Sequence, residues 1–125
     1  MKRYYQLKEG KKGAYTLREN TYRRIRYLIA DYPYFKKMLA EGAGKAELRE
    51  TAFGYTLQGP SLQFVKYVEA IEKARQEIPE IYADDVMSHI IEGKRYKDMD
   101  GVSEKTIKRW VQRFVWQVAR NLGDV

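Results

Sequence analysis

At 125 residues with 44% hydrophobic content, the chain is long enough for one compact domain with a real core, which argues against wholesale disorder. It has no cysteine and a single histidine, His89, which excludes disulfides and thiolate metal sites and leaves no second nitrogen or sulfur ligand for zinc. The net charge is +7, no apolar run reaches the length of a membrane span, and MKRYYQLKEGKKG lacks an apolar signal-peptide core; a soluble cytoplasmic protein with no membrane contact and a polyanionic partner is the expectation.

The charge is segregated along the chain. Residues 1–49 hold 13 Lys/Arg against 5 Asp/Glu, residues 50–93 hold 3 against 8, and residues 94–125 hold 8 against 4. Basic ends around an acidic middle favour a polyanion over mere solubility, although charge alone does not choose between DNA, RNA and a membrane surface. Residues 1–16, basic and tyrosine-rich with two glycines, show no sustained period and read as a basic arm. A helical pattern follows from about Leu17 to Ala30, with Tyr22, Ile25, Leu28, Ile29 and Tyr32 near one side. Pro33 predicts a break there, after which a short helix resumes through Phe35 and Leu39 and stops near Gly42.

Residues 42–60 contain four glycines and a proline and read as a linker or long loop, with one helical turn around Ala46–Thr51. The segment 17–60 is thus an N-terminal helical segment and linker. After Pro60, Ser61 can cap a helix in which Leu62, Val65, Val68, Ile71 and Ile78 keep helical spacing. Pro79 punctuates it, and a further helix over about Glu80–Glu92 buries Tyr82, Val86, Ile90 and Ile91 before Gly93 closes it. No long apolar/polar alternation suggests a sheet, so the fold class is all-α, a helical bundle.

The stretch from Gly93 to Gly123 reads as the second half of a helix-turn-helix. Ser103 is a suitable N-cap, its hydroxyl able to accept from first-turn N–H groups, with Val102 and Ile107 at hydrophobic-staple spacing. Ile107, Val111, Phe114, Val118 and Leu122 form one apolar stripe, and Gly123 is a plausible stop. The opposite face carries Lys105, Arg109, Gln112 and Arg113, with Lys108 at its edge. Such a helix suits the major groove, where Lys, Arg and Gln reach phosphates and base edges, although a basic face is more often simply solvated. Trp110 flanks the stripe as a core residue, whereas Trp116 projects to nearly the opposite side, with packing inside the molecule preferred over a dimer or DNA contact.

Enzymatic patterns fail on inspection. Asp98-Met99-Asp100-Gly101 does not extend to a calcium loop, because Tyr96 and Ile107 fall where carboxylates are needed. Gly42-Ala43-Gly44-Lys45 lacks the first glycine and the Ser/Thr of a phosphate loop. No cofactor, metal site or enzymatic activity is expected.

The run Ile78–Gly123 resembles region 4 of sigma-70-type factors and, more closely, the phage late-transcription activators of the RinA/ArpU type. The similarity also takes in Leu28-Ile29-Ala30-Asp31-Tyr32-Pro33-Tyr34-Phe35, the ending Ile90-Ile91-Glu92-Gly93, Val102-Ser103-Glu104-Lys105-Thr106-Ile107-Lys108-Arg109-Trp110 and Val118-Ala119-Arg120-Asn121-Leu122-Gly123. It departs from the family in two places, one of them the arm at residues 1–16, which has no clear counterpart. Only Tyr96-Lys97-Asp98-Met99 precedes Asp100-Gly101, so the first helix of the helix-turn-helix is cut to about one turn or replaced by a tight turn. The resemblance implies that 61–125 is a sigma region 4-like helix-turn-helix domain with a long C-terminal helix. It further implies a phage or prophage regulator that binds double-stranded promoter DNA at packaging or lysis genes and contacts RNA polymerase. By the same resemblance Ser103 and Thr106 would meet phosphate while Lys105, Lys108, Arg109 and Gln112 face the groove, with Arg109 and Gln112 reading bases. Lys94, Arg95, Lys97 and Arg113 are placed for phosphates. Two other functions fit the same residues: a helical adaptor binding an acidic protein partner without touching DNA, and a DNA-packaging protein like the small terminase subunit.

Overall fold

The computed structural model describes residues 4–5, 15–41, 47–51, 54–58, 61–99 and 101–125. The protein is an all-α helical bundle. Helix α1 (Glu19–Ala30) buries Tyr22, Ile25 and Ile29, a spacing of three and four that puts them on one face. The chain breaks at Asp31, whose N–H still reaches the carbonyls of Tyr27 and Leu28 at 3.2 and 3.1 Å. Pro33 therefore does not end α1. It sits in the first turn of α2 (Tyr32–Ala40), where its missing N–H has no helical partner to lose.

Helix α3 (Ser61–Arg75) turns Val68, Ala70, Ile71 and Ala74 inward, and Ile78 follows into the core from the turn beyond it. Pro79 then stands at the N-cap of α4 (Glu80–Glu92), which buries Ala83, Val86 and Ile90 and leaves Tyr82 and Ile91 half-buried. Gly93 closes α4 with φ 72°, the left-handed conformation that a side chain resists, and lets the Lys94 N–H bond back to the Ser88 carbonyl at 3.2 Å. Helix α5 (Glu104–Asn121) packs on α1, α3 and α4 and buries Ile107, Val111, Phe114, Val115, Val118 and Ala119. At its far end Gly123 (φ 84°) lets the Asp124 N–H reach the Ala119 carbonyl at 2.9 Å.

Three local expectations need correction. Leu17 and Arg18 do not begin α1; they form strand β2, antiparallel to β1 (Tyr4–Tyr5), with Tyr5 opposite Leu17. The rest of the arm, 1–3 and 6–14, lies outside the described residues. The linker reading of 42–60 is overturned where the chain is described, because β3 (Glu47–Thr51) and β4 (Gly54–Gln58) form an antiparallel ladder from Glu47–Gln58 to Thr51–Gly54. Extended backbone replaces the expected helical turn there, since cross-strand pairing satisfies the backbone groups that a lone turn would leave open. Finally, Ser103 does stand at the N-cap of α5 with extended backbone (φ −68°, ψ 132°), but its hydroxyl makes no capping hydrogen bond. Ser103 is exposed, so water can serve the first-turn N–H groups instead.

One hydrophobic core runs from Leu17 to Ala119 and draws on α1, α3, α4 and α5, with Met99 contributed by the loop before α5. The N-terminal helical segment therefore shares its interior with residues 61–125. Helix α2 lies at the side, held to α3 by Phe35, which stacks on Phe64 and tilts against Tyr67, both at 5.2 Å. Beside this cluster the Tyr32 hydroxyl donates to Glu72 Oε2 at 2.6 Å, and Lys36 reaches the same oxygen at 3.3 Å. The Tyr32 bond, with help from Lys36, holds the Glu72 carboxyl below the usual range against the opposing effect of burial. Tyr32 itself is pushed up to about 12, first by burial and then by the same bond.

Two outcomes follow for stability. Phe114→Ala, at a position 1% exposed, should cost about 3–5 kcal/mol in urea unfolding; a loss below about 1 kcal/mol would mean that α5 is not the centre of the core. Tyr32→Phe should cost about 1 kcal/mol at neutral pH, a modest figure because Glu72 is partly exposed. The sign with pH is fixed by the depressed Glu72: its contribution is present above the usual carboxylate range and lost as pH falls through it. The gap between wild type and Tyr32→Phe should therefore close in acid, and a pH-independent gap in the unfolding midpoint would contradict the assignment.

Candidate nucleic-acid interface

The segment joining α4 to α5 is short, basic and pinned at several points. Past Gly93, the Lys94 N–H is held by Ser88 and its carbonyl lies 2.7 Å from His89 Nδ1. His89 Nε2 lies 2.9 Å from Arg26 Nη2, and Arg26 Nη1 donates to the Tyr22 hydroxyl at 3.1 Å. A guanidinium can only donate, so Nε2 must accept and the proton belongs on Nδ1, where it donates to Lys94. Both bonds are satisfied by that one neutral tautomer. The Tyr96 ring stacks on His89 with centroids 4.3 Å apart, and burial pushes its phenol up. Residues Tyr96–Asp98, where a one-turn helix or a tight turn is expected, form a single 3₁₀ turn. Met99, 5% exposed, and half-buried Val102 anchor the segment in the core before α5 begins.

The cations of this segment point outward from those anchors. Arg95 and Lys97 are exposed, as are Lys105, Lys108 and Arg109 on the first two turns of α5; Lys94 and Thr106 are half-buried. Several are already paired: Lys94 with Asp85 at 3.0 Å, Arg95 with Asp98 at 3.1 Å, and Lys108 with Glu104 at 3.5 Å. Lys108 Nζ also lies 5.4 Å from the Tyr96 ring centroid. Lys97 and Arg109 take part in no ion pair among the described residues. The structure thus gathers Lys94, Arg95, Lys97, Ser103, Lys105, Thr106, Lys108 and Arg109 around the start of α5.

Gln112 and Arg113 belong to a different neighbourhood. Gln112 Nε2 donates to the Tyr15 carbonyl at 3.4 Å, and the Arg113 guanidinium lies 4.7 Å from the Tyr15 ring and 5.3 Å from that of Trp110. Trp110 in turn stacks on Tyr82 at 6.3 Å. Tyr15 meets Trp116 edge-on at 4.9 Å and has φ 58°, a left-handed backbone that a tyrosine holds only where its surroundings compel it. Trp116 is half-buried, packed against the core and under Arg120 at 5.5 Å. Tyr15 therefore covers the middle of α5, and among its residues only those of the first two turns and Arg120 are exposed.

The positioning residues Arg26, His89 and Tyr15 are not evident from sequence. His89 and Lys94 meet across a helix end whose geometry depends on Gly93, and Arg26 arrives from another helix with no local signal. Among known proteins, no family model, no curated protein and no solved structure matches this chain.

His89→Ala removes both ring bonds and the Tyr96 stack. Amide hydrogen exchange over 94–99 should speed up about tenfold while exchange in the middle of α3 stays as it was. Equal acceleration in both places would make His89 a general stability residue and not the holder of this turn.

Proposed function

We propose that this chain is a sequence-specific double-stranded DNA-binding regulator of transcription, acting on late packaging or lysis genes of a phage or prophage in the bacterial cytoplasm and contacting RNA polymerase there. The observation that carries the DNA reading is where α5 is open. Its exposed residues cluster in the first two turns as Glu104, Lys105, Lys108 and Arg109, next to exposed Arg95 and Lys97, while from Val111 to Asn121 only Arg120 is exposed and Gln112 and Arg113 are half-covered. Recognition helices touch base edges mainly through their N-terminal residues. Ser103 leaves its hydroxyl outside any cap bond at that same end, where first-turn N–H groups can meet a phosphate. The resemblance to RinA/ArpU-type activators supplies the regulatory context. In this reading Arg109 is the base reader, Lys105 and Lys108 flank it, and Lys94, Arg95, Lys97, Ser103 and Thr106 hold backbone phosphates.

A second reading has one observation in its favour. Lys94, Arg95 and Lys108 are already neutralised by Asp85, Asp98 and Glu104, as suits a helical adaptor whose basic ends dock an acidic protein without touching DNA. Titration against matched specific and scrambled duplexes at two salt concentrations separates the two. Arg109→Ala should cost about 1–3 kcal/mol on the preferred site and little on the scrambled one. Lys97→Ala should weaken both alike and reduce the salt slope by roughly 0.9. No binding to any duplex at low salt would favour the adaptor, and equal loss on both duplexes from Arg109→Ala would remove its reading role.

A further inference from the structure

Two surface features lie outside the basic turn and complement each other. The first is a groove of about 500 Å³ between α1, α3 and the C-terminal residues, with apolar surface from Leu28, Tyr67 and Leu122 and cations Arg24, Lys66 and Lys73. Lys66 and Lys73 lie two turns apart on α3, are exposed, and take part in no ion pair among the described residues. Arg24 is bridged to Asp124 at 3.0 Å, and Glu69 is the other carboxylate of the groove, so a positive excess remains. The second feature is Ile81 in the first turn of α4, 74% exposed. Exposed Glu77, Glu80 and Asp84 surround it in sequence, with Asp84 bridged to Arg75 at 2.8 Å and its side chain 89% exposed. A single exposed isoleucine is ordinary, but one flanked in sequence by three carboxylates complements a groove of mixed polar and apolar lining in which three cations outnumber two carboxylates.

We propose that the groove takes a second copy of this chain: Ile81 of one copy seats on the Leu28, Tyr67 and Leu122 surface of the other. Glu77, Glu80 and Asp84 then face Lys66, Lys73 and Arg24. Lys73 in the last turn of α3 and Glu77 just beyond that helix are only four residues apart, so the groove and the acidic set adjoin along the chain. That adjacency suits a two-fold contact in which each copy both gives and receives, which closes at a dimer. The attraction is between exposed charges and is therefore weakened by salt. It requires nothing of the basic turn and stands whether or not the chain binds DNA.

Sedimentation of the chain without DNA, over a concentration series at about 25 mM and about 500 mM salt, tests this. A dimer is expected at low salt that dissociates at high salt. Ile81→Lys should weaken it by about tenfold or more, with helix content unchanged because Ile81 is a surface residue. The groove variant Lys66→Glu/Lys73→Glu and the ridge variant Glu80→Lys/Asp84→Lys should each be monomeric alone, because each sets like charges against one another. Mixed together they should form a heterodimer, since both reciprocal contacts are then of opposite sign. A monomeric wild type throughout, a dimer indifferent to Ile81→Lys, or a mixture that stays monomeric would each overturn the proposal. A monomeric wild type that binds a polyglutamate peptide, with the binding lost in Lys66→Glu/Lys73→Glu, would also overturn it and assign the groove to an acidic partner.

Discussion

The burial of α5 on several sides is the constraint on which the rest of this structure depends. A helix packed by α1, α3 and α4 must carry apolar side chains around more of its circumference than a surface helix does, and six of its residues are fully buried. Ile107, Val111, Phe114 and Val118 make the expected stripe, and Val115 and Ala119 widen it. What remains for function is the part no neighbour covers. The first two turns stay open because the segment 94–103 approaches them from the core, pinned by Met99 and Val102, and the middle is closed by Tyr15. The location of the candidate site thus follows from packing before charge is considered.

Much of the helical layout was legible because it is local. The three-and-four spacing of Tyr22, Ile25 and Ile29, the punctuation by Pro79 and Gly93, and the stripe of α5 all reflect interactions within a few residues. The β3–β4 ladder was not, because strands of five residues each give too little alternation to register and their stability comes from pairing with one another. Pro33 shows how a correct physical rule can place a boundary slightly wrong. The rule biases Tyr32 away from helical backbone, yet Tyr32 opens α2 with Pro33 in its first turn, and the break falls one residue earlier at Asp31.

The candidate site was legible in part, and the division has a physical basis. Lys105 and Arg109 are outward-facing because helical phase alone puts them opposite Ile107 and Val111, with Lys108 at the edge of that face. Gln112 and Arg113 share that phase, yet they face Tyr15, almost a hundred residues away in sequence. Periodicity gives the direction of a side chain from its own helix and nothing about what arrives to meet it. The same limit hid Arg26, whose guanidinium determines the tautomer of His89 from across the bundle. Long-range partners convert a basic face into two different surfaces, one open and one half-covered by aromatics.

The ion pairs around the turn bear on how such a surface could act. Lys94–Asp85, Arg95–Asp98 and Lys108–Glu104 join partly or largely exposed groups, each worth only a fraction of 1 kcal/mol. They restrain long side chains at little enthalpic gain, so a phosphate could replace a carboxylate partner without a large penalty. The carboxylates nevertheless remain nearby, and Asp98 and Glu104 would repel an approaching backbone. The balance falls on the cations that bring no carboxylate with them, Lys97 and Arg109. If the proposed function holds, such a surface would bind through a few unpaired charges, and its affinity would depend more on the rigidity of the turn than on the number of basic residues. The bonds from His89 and Ser88 to the Lys94 backbone supply that rigidity.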